Sequence, residues 1–445
     1  MKNLMTTIII ASLLSAGSAF AWDVPDGFVL VTEWGFFDGT TVAKIDPATD
    51  QIVTKVTVGD SPNFITYDSV RRIAYVSLHD DNKIAALKVD TLEVADLSIA
   101  NLGKAPIGIT LTPDGLRLLA ATRGTDGVIS EDDRLDIISL NHTTWPPAAS
   151  IITSIFTGLH PIRPLVNNAG TYAVVTVRNE PAILIIDLAT YQVVYEAPNL
   201  PPNAEPEGGD VHPTENIIYV TQHGVNVIEV IDLDVLSIVK HVPITNSTGF
   251  PANPSTIRFI PEGTRAFVSA QSINRVLMFD TADPKNPVQV SSVELQVGPQ
   301  PHHIVWLPGD RGYVANSNNG NYYGSLSVIN NYSGTPTVSG PILTTLAAPL
   351  SFAYVECVDS PPASVIMLSK NDNDVLLSWQ PVTGTALYSV YRATLPNPGS
   401  WGTPVWTGTT TNASDPALSN SENYYYILQR TSSCGAQTYS VVLNE

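Results

Sequence analysis

A short segment made of a loop, a proline, an alternating strand and a turn recurs seven times, and this repeat constrains the fold more than any other feature. Its clearest copy is GKAPIGITLTPDG, from Gly103 to Gly115. Successive prolines are 44, 55, 45, 48, 47 and 48 residues apart, at Pro62, Pro106, Pro161, Pro206, Pro254, Pro301 and Pro349. The third and fifth residues after each proline are mostly apolar, which predicts a strand with one buried face.

The repeat length predicts the architecture of each unit. A spacing of roughly 40 to 50 residues is typical of the four-stranded blades of a β-propeller. Charged residues make up only 14% of the chain, which contains 34 Pro and 29 Gly, as expected for short strands joined by tight turns. We therefore predict an all-β fold whose repeats each supply an inner, a second, a third and an outer strand. Since the chain starts on a second strand, Phe28 to Thr32, the last inner strand after Pro349 is expected to pair with it and close the ring.

At these residues the sequence resembles the YVTN family of β-propellers. The resemblance is carried by YVTQ at Tyr219, IEVID at Ile228, AYVS at Ala74 and PIGITLTPDG at Pro106. It covers Phe28 to about Glu356 and implies a seven-bladed β-propeller over residues 22–358. The family includes amine dehydrogenase heavy chains and lactonase-like proteins, so the resemblance specifies a fold more than a function.

The period stops after Pro362, and residues 359–445 resemble a fibronectin type III β-sandwich. VLLSWQPV at Val375 resembles the second strand of that family, with its buried Trp379, and LYSVYRA at Leu387 resembles the third. Leu418 and Tyr424 have the spacing of the tyrosine corner.

The N-terminus predicts an exported protein. Lys2, an apolar run and small residues before Ala21 are typical of a signal peptide at residues 1–21, cleaved after Ala21, which places the protein in the periplasm or outside the cell. The formal charge of −19 becomes −20 when Lys2 is removed, and such a charge repels phosphate backbones and anionic lipid. Nucleic acid and membrane insertion are therefore not expected, whereas a protein partner is expected and a small-molecule ligand is possible. In an oxidising compartment the two cysteines, Cys357 and Cys434, are expected to form a disulfide.

Candidate functional residues gather on one face of the predicted disc. We call it the upper face; it carries the loops before the inner strands and those between second and third strands. Its polar candidates for binding a ligand or a metal are His79, His160, Arg163, Glu205, Glu207, His223, His302 and His303. Imidazoles that converge with carboxylates suit a divalent ion such as Zn, Cu or Fe, although the spacing fits loop residues bonded to neighbours or solvent better. His303 is the strongest candidate because it replaces the glycine found at Gly108 and Gly208 in other copies.

Two further groups of charges need an explanation. Asp210 and Arg258 occupy the fourth position after the proline in neighbouring repeats, which favours a structural ion pair over catalysis. The longest insertion carries Asp126, Glu131, Asp132 and Asp133, a possible calcium loop that lacks the EF-hand order and fits a solvated acidic loop better.

The sequence contains no GxSxG nucleophile elbow and no haem-attachment CxxCH motif. Our main expectation is therefore an exported, non-enzymatic binding or scaffolding protein. One alternative is a metal-assisted, lactonase-like hydrolase or lyase that uses the upper-face His and Glu residues. A second alternative is a redox-inactive partner of an electron-transfer protein.

Overall fold

The computed structural model describes an all-β chain. The described residues are 27–35, 39–124, 128–198, 200–318, 323–356, 366–371, 374–379, 385–394, 403–410, 412–415, 425–432, 437–439 and 443–444. The predicted signal peptide, Cys357, Cys434, Asp126, Leu418 and Tyr424 lie outside them. Within these ranges no helix is long and apolar enough to cross a membrane.

Seven four-stranded antiparallel sheets, here called blades 1 to 7, follow the sequence repeats. Blade 1 contains β1 (Gly27–Glu33), β2 (Thr41–Asp46), β3 (Gln51–Thr57) and β28 (Pro349–Glu356). Blade 2 contains β4 (Pro62–Asp68), β5 (Ile73–Leu78), β6 (Lys83–Lys88) and β7 (Val94–Asp96). Blade 3 contains β8 (Pro106–Leu111), β9 (Arg117–Arg123), β10 (Asp133–Asn141) and β11 (Ala148–Phe156). Blade 4 contains β12 (Pro161–Val166), β13 (Tyr172–Val177), β14 (Ala182–Asp187) and β15 (Gln192–Glu196).

The remaining blades keep the same order. Blade 5 contains β16 (Pro206–Val211), β17 (Ile217–Gln222), β18 (Val227–Asp232) and β19 (Ser237–Pro243). Blade 6 contains β20 (Pro254–Phe259), β21 (Arg265–Ala270), a short 3-10 helix (Gln271–Ile273), β22 (Arg275–Asp280) and β23 (Val288–Gln296). Blade 7 contains β24 (Pro301–Leu307), β25 (Arg311–Asn316), β26 (Tyr323–Asn330) and β27 (Thr337–Ala347).

The ring closes through the two ends of the propeller, as predicted. Each inner strand contacts the inner strands of both neighbouring blades. In blade 1 the inner strand β28 pairs with β1, and Leu30 lies opposite Ala353. This pairing leaves neither strand as an exposed edge on that side.

A recurring hydroxyl bond links neighbouring blades. In five blades a Thr or Ser near the end of the second strand donates to the carbonyl of the residue after the proline in the next blade. These inter-blade hydroxyl bonds join Thr32 to Asn63 (2.8 Å), Ser77 to Ile107 (2.5 Å), Thr176 to Glu207 (2.7 Å), Thr221 to Ser255 (3.0 Å) and Ser269 to His302 (2.5 Å). Ala121 and Ala315 occupy the same position in blades 3 and 7. The inter-blade bond therefore gives Thr221 of the YVTQ segment a structural role.

The residue before each proline adopts a left-handed backbone conformation. The φ angles lie between 39° and 70° at Ser61, Ala105, His160, Glu205, Asn253, Gln300 and Ala348. In blades 2 to 7 its carbonyl accepts a hydrogen bond from an N–H at the end of the second strand. The donor is Arg123, the last residue of β9, in blade 3 and the residue directly after the second strand in the other blades, for example Arg178 to His160 and His223 to Glu205, both 3.0 Å. The loops before the inner strands and the loops between second and third strands, which we predicted to share the upper face, are thus joined by these hydrogen bonds.

The C-terminal described strands form two further sheets. They are β29 (Ile366–Asn371), β30 (Asp374–Trp379), β31 (Thr385–Ala393), β32 (Trp406–Gly408), β33 (Asn412–Asp415), β34 (Tyr425–Ser432), β35 (Gln437–Tyr439) and β36 (Leu443–Asn444). One sheet has the order β29-β30-β33, and the other has the order β32-β31-β34-β35, with β36 pairing β34. Trp379 packs between them against Tyr388 and Trp406, with ring centroids 5.3 and 5.6 Å apart.

The inter-blade hydroxyl bonds predict a measurable loss of stability on their removal. Thr221→Val keeps the shape of the side chain but leaves the buried carbonyls of Gly208 and Ser255, each 3.0 Å from Thr221 Oγ1, without this donor. We expect the free energy of unfolding to fall by about 1–3 kcal/mol. Chemical denaturation measures this free energy. The control is Thr54→Val, at an exposed position of an outer strand, which should change the free energy of unfolding by less than about 0.5 kcal/mol. Equal values for the two variants would contradict a stabilising role for these bonds.

Candidate functional site

The upper face carries an ion-pair network centred on Arg178, the first residue after β13. Arg178 Nη2 lies 2.8 Å from Glu205 Oε2, and Nη1 lies 3.2 Å from Glu207 Oε2. Glu205 precedes the proline of blade 5 in the left-handed conformation, and Glu207 follows that proline. One cation therefore faces two carboxylates across the gap between blades 4 and 5.

The network continues through blades 5, 6 and 7. His223 Nδ1 lies 3.2 Å from Glu205 Oε2, and its Nε2 lies 3.2 Å from Gln271 Oε1. Gln271 Nε2 donates to His302 Nδ1 at 3.0 Å. Arg178, His223 and Gln271 occupy equivalent positions, each directly after a second strand. The sequence repeat thus places them side by side.

Ser255 lies between Glu207 and His302 in the network. Its Oγ donates to Glu207 Oε1 at 3.3 Å and lies 3.3 Å from His302 Nδ1. Glu207, Ser255 and His302 are equivalent residues, each directly after the proline of its inner strand. Three consecutive blades therefore present a carboxylate, a hydroxyl and an imidazole at the same height in the channel.

The charges of this network follow from its surroundings. Burial lowers the pKa of His302 to about 4. Glu207 partly opposes this effect, whereas the nearby His223 and Arg178 add to it. Burial is the largest single effect and would raise the pKa of Glu205, but the hydrogen bonds and charges of Arg178 and His223 together outweigh it and lower the pKa. Burial opposes the charge of Arg178 as well, and its two carboxylate partners still raise its pKa. At neutral pH the site therefore combines a guanidinium cation, an ionised Glu205 and a neutral His302.

Below this network the channel is narrowed by side chains from three non-adjacent blades, here called the waist. Phe64, Arg163 and His303 all occupy the second position after the proline, in blades 2, 4 and 7. The rings of Phe64 and His303 are 4.8 Å apart, and the Arg163 guanidinium lies 5.5 Å from the Phe64 ring centroid. Side chains from blades this far apart meet only near the channel axis. His303 is only 8% exposed, and burial, followed by the charge of Arg163, holds its pKa well below the ordinary value.

A cavity of about 510 Å³, here called the lower cavity, lies beyond the waist at the ends of the inner strands. Arg163, Asp210 and Arg258 supply its charged groups. Arg258 Nη1 donates to Asp210 Oδ1 at 2.8 Å, so these two residues form an ion pair between blades 5 and 6. The N–H of Phe259 donates to the other carboxylate oxygen of Asp210 at 2.9 Å.

The other predicted upper-face histidines lie in separate settings. His79 Nδ1 contacts Asp80 Oδ1 at 2.5 Å, and Arg123 Nη1 lies 3.1 Å from His160 Nε2. His223 and His302 are joined through Gln271, whereas His303 packs in the waist. The five histidines predicted for the upper face therefore occupy four different environments.

The acidic insertion has mainly local contacts. Asp133 is fully buried and accepts hydrogen bonds from the N–H groups of Ser130 (2.8 Å) and His160 (3.1 Å). Asp132 lies 3.5 Å from Lys104 Nζ, and the backbone carbonyl of Glu131 accepts a hydrogen bond from Arg134. In the part of the chain that the structure describes, no three His, Cys, Asp or Glu side chains are arranged to hold a metal ion.

The sequence prediction did not include Arg178, Ser255 or Gln271. All three could have been found by aligning the second strands as well as the prolines. In that alignment Arg178 of TVRN and Gln271 of VSAQ share one column with His79 and His223. The repeat itself therefore contained the missing signal.

Comparison with known structures places the fold among β-propellers. The Pseudomonas aeruginosa periplasmic gluconolactonase matches with a TM-score of 0.60 and 15% identity, over 74% of this chain and 99% of that one. A putative 6-phosphogluconolactonase from Bacteroides uniformis matches with a TM-score of 0.60 and 14% identity, over 74% and 100%. Kuenenia stuttgartiensis hydrazine synthase matches with a TM-score of 0.55 and 16% identity, over 72% and 99%. Neither protein-family models nor curated proteins give a match to the chain.

These structural neighbours overturn the main functional expectation from the sequence. The expectation of a non-enzymatic binding or scaffolding protein is wrong, because the similar structures include a gluconolactonase and putative 6-phosphogluconolactonases. The sequence could not make this distinction because the repeat is shared by propellers of different function. The alternative of a redox-inactive partner for an electron carrier stays a prediction.

The low pKa of His302 predicts a pH dependence of stability. Between pH 6.5 and about pH 4 an unfolded histidine binds a proton that folded His302 does not, so protonation favours unfolding as the pH falls through this window. We expect the unfolding free energy of the wild type to fall more steeply from pH 6.5 to pH 4 than that of His302→Gln, and the two curves to run parallel above pH 7. Denaturant titrations at fixed pH measure both curves. Parallel curves below pH 6.5 would show that His302 titrates normally.

Proposed function

We propose that this chain is a hydrolase that opens lactone rings at the upper-face network. The observation that carries the proposal is the arrangement of Arg178, Glu207, Ser255 and His302, in which a cation adjoins a carboxylate that shares a hydroxyl with a neutral imidazole. The side chains of Arg178 and Glu207 are 30% and 14% exposed, so a small substrate and water reach them from the upper face. The names of the similar lactonase structures support the same reaction class.

Glu207 is suited to act as the general base. Its carboxylate takes a proton from a water molecule while the water oxygen forms a bond to the lactone carbonyl carbon. The guanidinium of Arg178 stabilises the negative charge that develops on the carbonyl oxygen. The bond between that carbon and the ring oxygen then breaks, and protonated Glu207 returns its proton to the ring oxygen as it becomes a hydroxyl. A hydroxy acid is released, and it ionises in solution.

Ser255, Gln271 and His302 are suited to orient the substrate. A hydroxyl, an amide and a neutral imidazole offer both donors and acceptors to the hydroxyl groups of a sugar-derived ring. Their mutual hydrogen bonds restrict the positions of these groups before a substrate arrives, which lowers the entropic cost of binding.

The electrostatics favour an uncharged substrate. The positive charge of Arg178 is already balanced by Glu205 and Glu207, and the whole chain carries a formal charge of −19. A phosphorylated lactone would bring two further negative charges to this face. We therefore propose an uncharged polyhydroxylated lactone, such as an aldonolactone, as the substrate class.

We further propose that residues 1–21 are a cleaved signal peptide and that the protein acts in the periplasm or outside the cell. The periplasmic location named for one similar structure supports this proposal. We also propose that residues 22–358 form a YVTN-type propeller and that residues 359–445 form a fibronectin type III-like sandwich. The buried Trp379 between two small sheets supports the fibronectin type III-like sandwich.

Replacement of the general base tests the proposed reaction. Glu207→Gln keeps the size of the side chain but removes its ability to accept a proton, and we expect kcat for glucono-1,5-lactone to fall by about 10²- to 10⁴-fold with a smaller change in KM. Hydrolysis is followed by the acid released, after subtraction of the spontaneous rate. The exposed Glu262→Gln is the matched control and should retain wild-type activity.

The substrate class has its own expected outcome. We expect a higher kcat/KM for glucono-1,5-lactone than for its 6-phosphate, and a difference that shrinks as ionic strength rises. A wild-type rate no faster than the spontaneous rate for both lactones, or equal rates for Glu207→Gln and Glu262→Gln, would contradict the proposed function.

A further inference from the structure

The lower cavity contains an arginine whose charge is only partly balanced by the protein. Among the described residues, Nε and Nη1 of Arg163 are enclosed and make no hydrogen bond. The guanidinium lines the cavity and contacts the face of Phe64 at the waist. An arginine side chain with three N–H groups that lack a hydrogen bond therefore stands in the wall of the cavity.

The neighbouring charges compensate Arg163 only in part. Asp210 is the only carboxylate that lines the cavity within the described residues, and it pairs with Arg258 Nη1 at 2.8 Å and with the N–H of Phe259. The cavity therefore carries a net charge of +1 in a chain whose formal charge is −19. Burial, followed by repulsion from Arg258, lowers the pKa of Arg163 to about 10, which leaves it protonated at neutral pH. An enclosed cation that shares its only carboxylate neighbour in the cavity with a second arginine destabilises the folded protein, and an anion would relieve this.

The walls indicate what kind of anion would fit. Five aromatic side chains line the cavity: Tyr67, Phe259, Trp306, Phe352 and Tyr354. The volume of about 510 Å³ lies within the range of about 300–1,000 Å³ that is usual for small-molecule sites. Flat aromatic walls suit a ring, and one planar guanidinium with a single net charge suits a planar monoanion.

We propose that the lower cavity binds a small carboxylate with a ring-shaped, largely apolar body, and that Arg163 pairs with its carboxylate. The waist formed by Phe64, Arg163 and His303 separates this site from the upper-face network, so the proposal does not rest on the proposed lactone hydrolysis. A dianionic phosphate is less suited because it would leave one negative charge uncompensated in a strongly acidic protein.

Isothermal titration calorimetry on the full chain tests the proposal with benzoate and benzamide, which share a ring and differ in charge. We expect benzoate to bind the wild type at least tenfold more tightly than benzamide or sulfate. Arg163→Met should reduce benzoate affinity at least tenfold. Arg163→Lys, which keeps the charge without the planar fork, should give an intermediate affinity. Lys104→Met removes a cation whose side chain is 65% exposed and should leave benzoate binding unchanged.

The folded state provides an independent readout. Because Arg163→Met removes an enclosed charge that is only partly compensated, its melting temperature without ligand should equal or exceed that of the wild type. Benzoate should raise the melting temperature of the wild type but not that of Arg163→Met. The proposal is overturned if benzoate does not bind the wild type, if benzamide binds equally well, or if Arg163→Met retains wild-type affinity. Loss of lactone hydrolysis in Glu207→Gln with unchanged benzoate binding would show that the upper-face network and the lower cavity are independent sites.

Discussion

The hydroxyl bond from a second strand to the next inner strand is the interaction on which the site depends. Apolar packing between sheets provides most of the stability of the ring, but it is non-directional and does not fix the height of one blade against the next. The hydroxyl bonds do so, because each joins a defined residue to a defined carbonyl. In three successive blades the accepting carbonyls belong to Glu207, Ser255 and His302. The bonds that align blades 4 to 7 therefore also fix the backbone of the residues proposed to carry the chemistry.

The two ends of the channel differ in charge because their side chains come from different positions of the repeat. At the first position after the proline, Glu207 and His302 face the upper network, where Arg178 is balanced by carboxylates. At the fourth position, Asp210 and Arg258 neutralise each other in the lower cavity, and Arg163 from the second position remains as an extra cation. Between them the neutral His303 and the ring of Phe64 narrow the passage. One acidic chain thus presents a balanced polar site on one side and a cationic, aromatic-lined cavity on the other.

Much of the fold could be predicted from the sequence because the repeat contains local and long-range information together. Alternating apolar residues after Pro106 indicate a strand, and seven copies at a regular interval indicate a ring that β28 must close. The position of His303 could not be predicted in the same way. The inner strands of blades 2 to 7 have a register irregularity just after the proline, for example between Pro301 and Ile304, so simple alternation does not give the direction of the side chains there. That irregularity directs the side chain of His303 to the waist rather than to the upper face.

The separate settings of the upper-face histidines have a related cause. Histidines on different blades converge only when nothing nearer satisfies them, and here nearer partners exist: Asp80 for His79, Arg123 for His160 and Gln271 for His223. The residue at the centre of the network is instead a cation, Arg178. Its position can be recognised in the sequence only when the second strands of the repeats are aligned. Because its two carboxylates come from either side of one proline, Glu205 and Glu207, the left-handed turn before that proline is what allows both to reach one guanidinium. The same backbone feature that repeats in every blade therefore carries the two carboxylates of the network in blade 5.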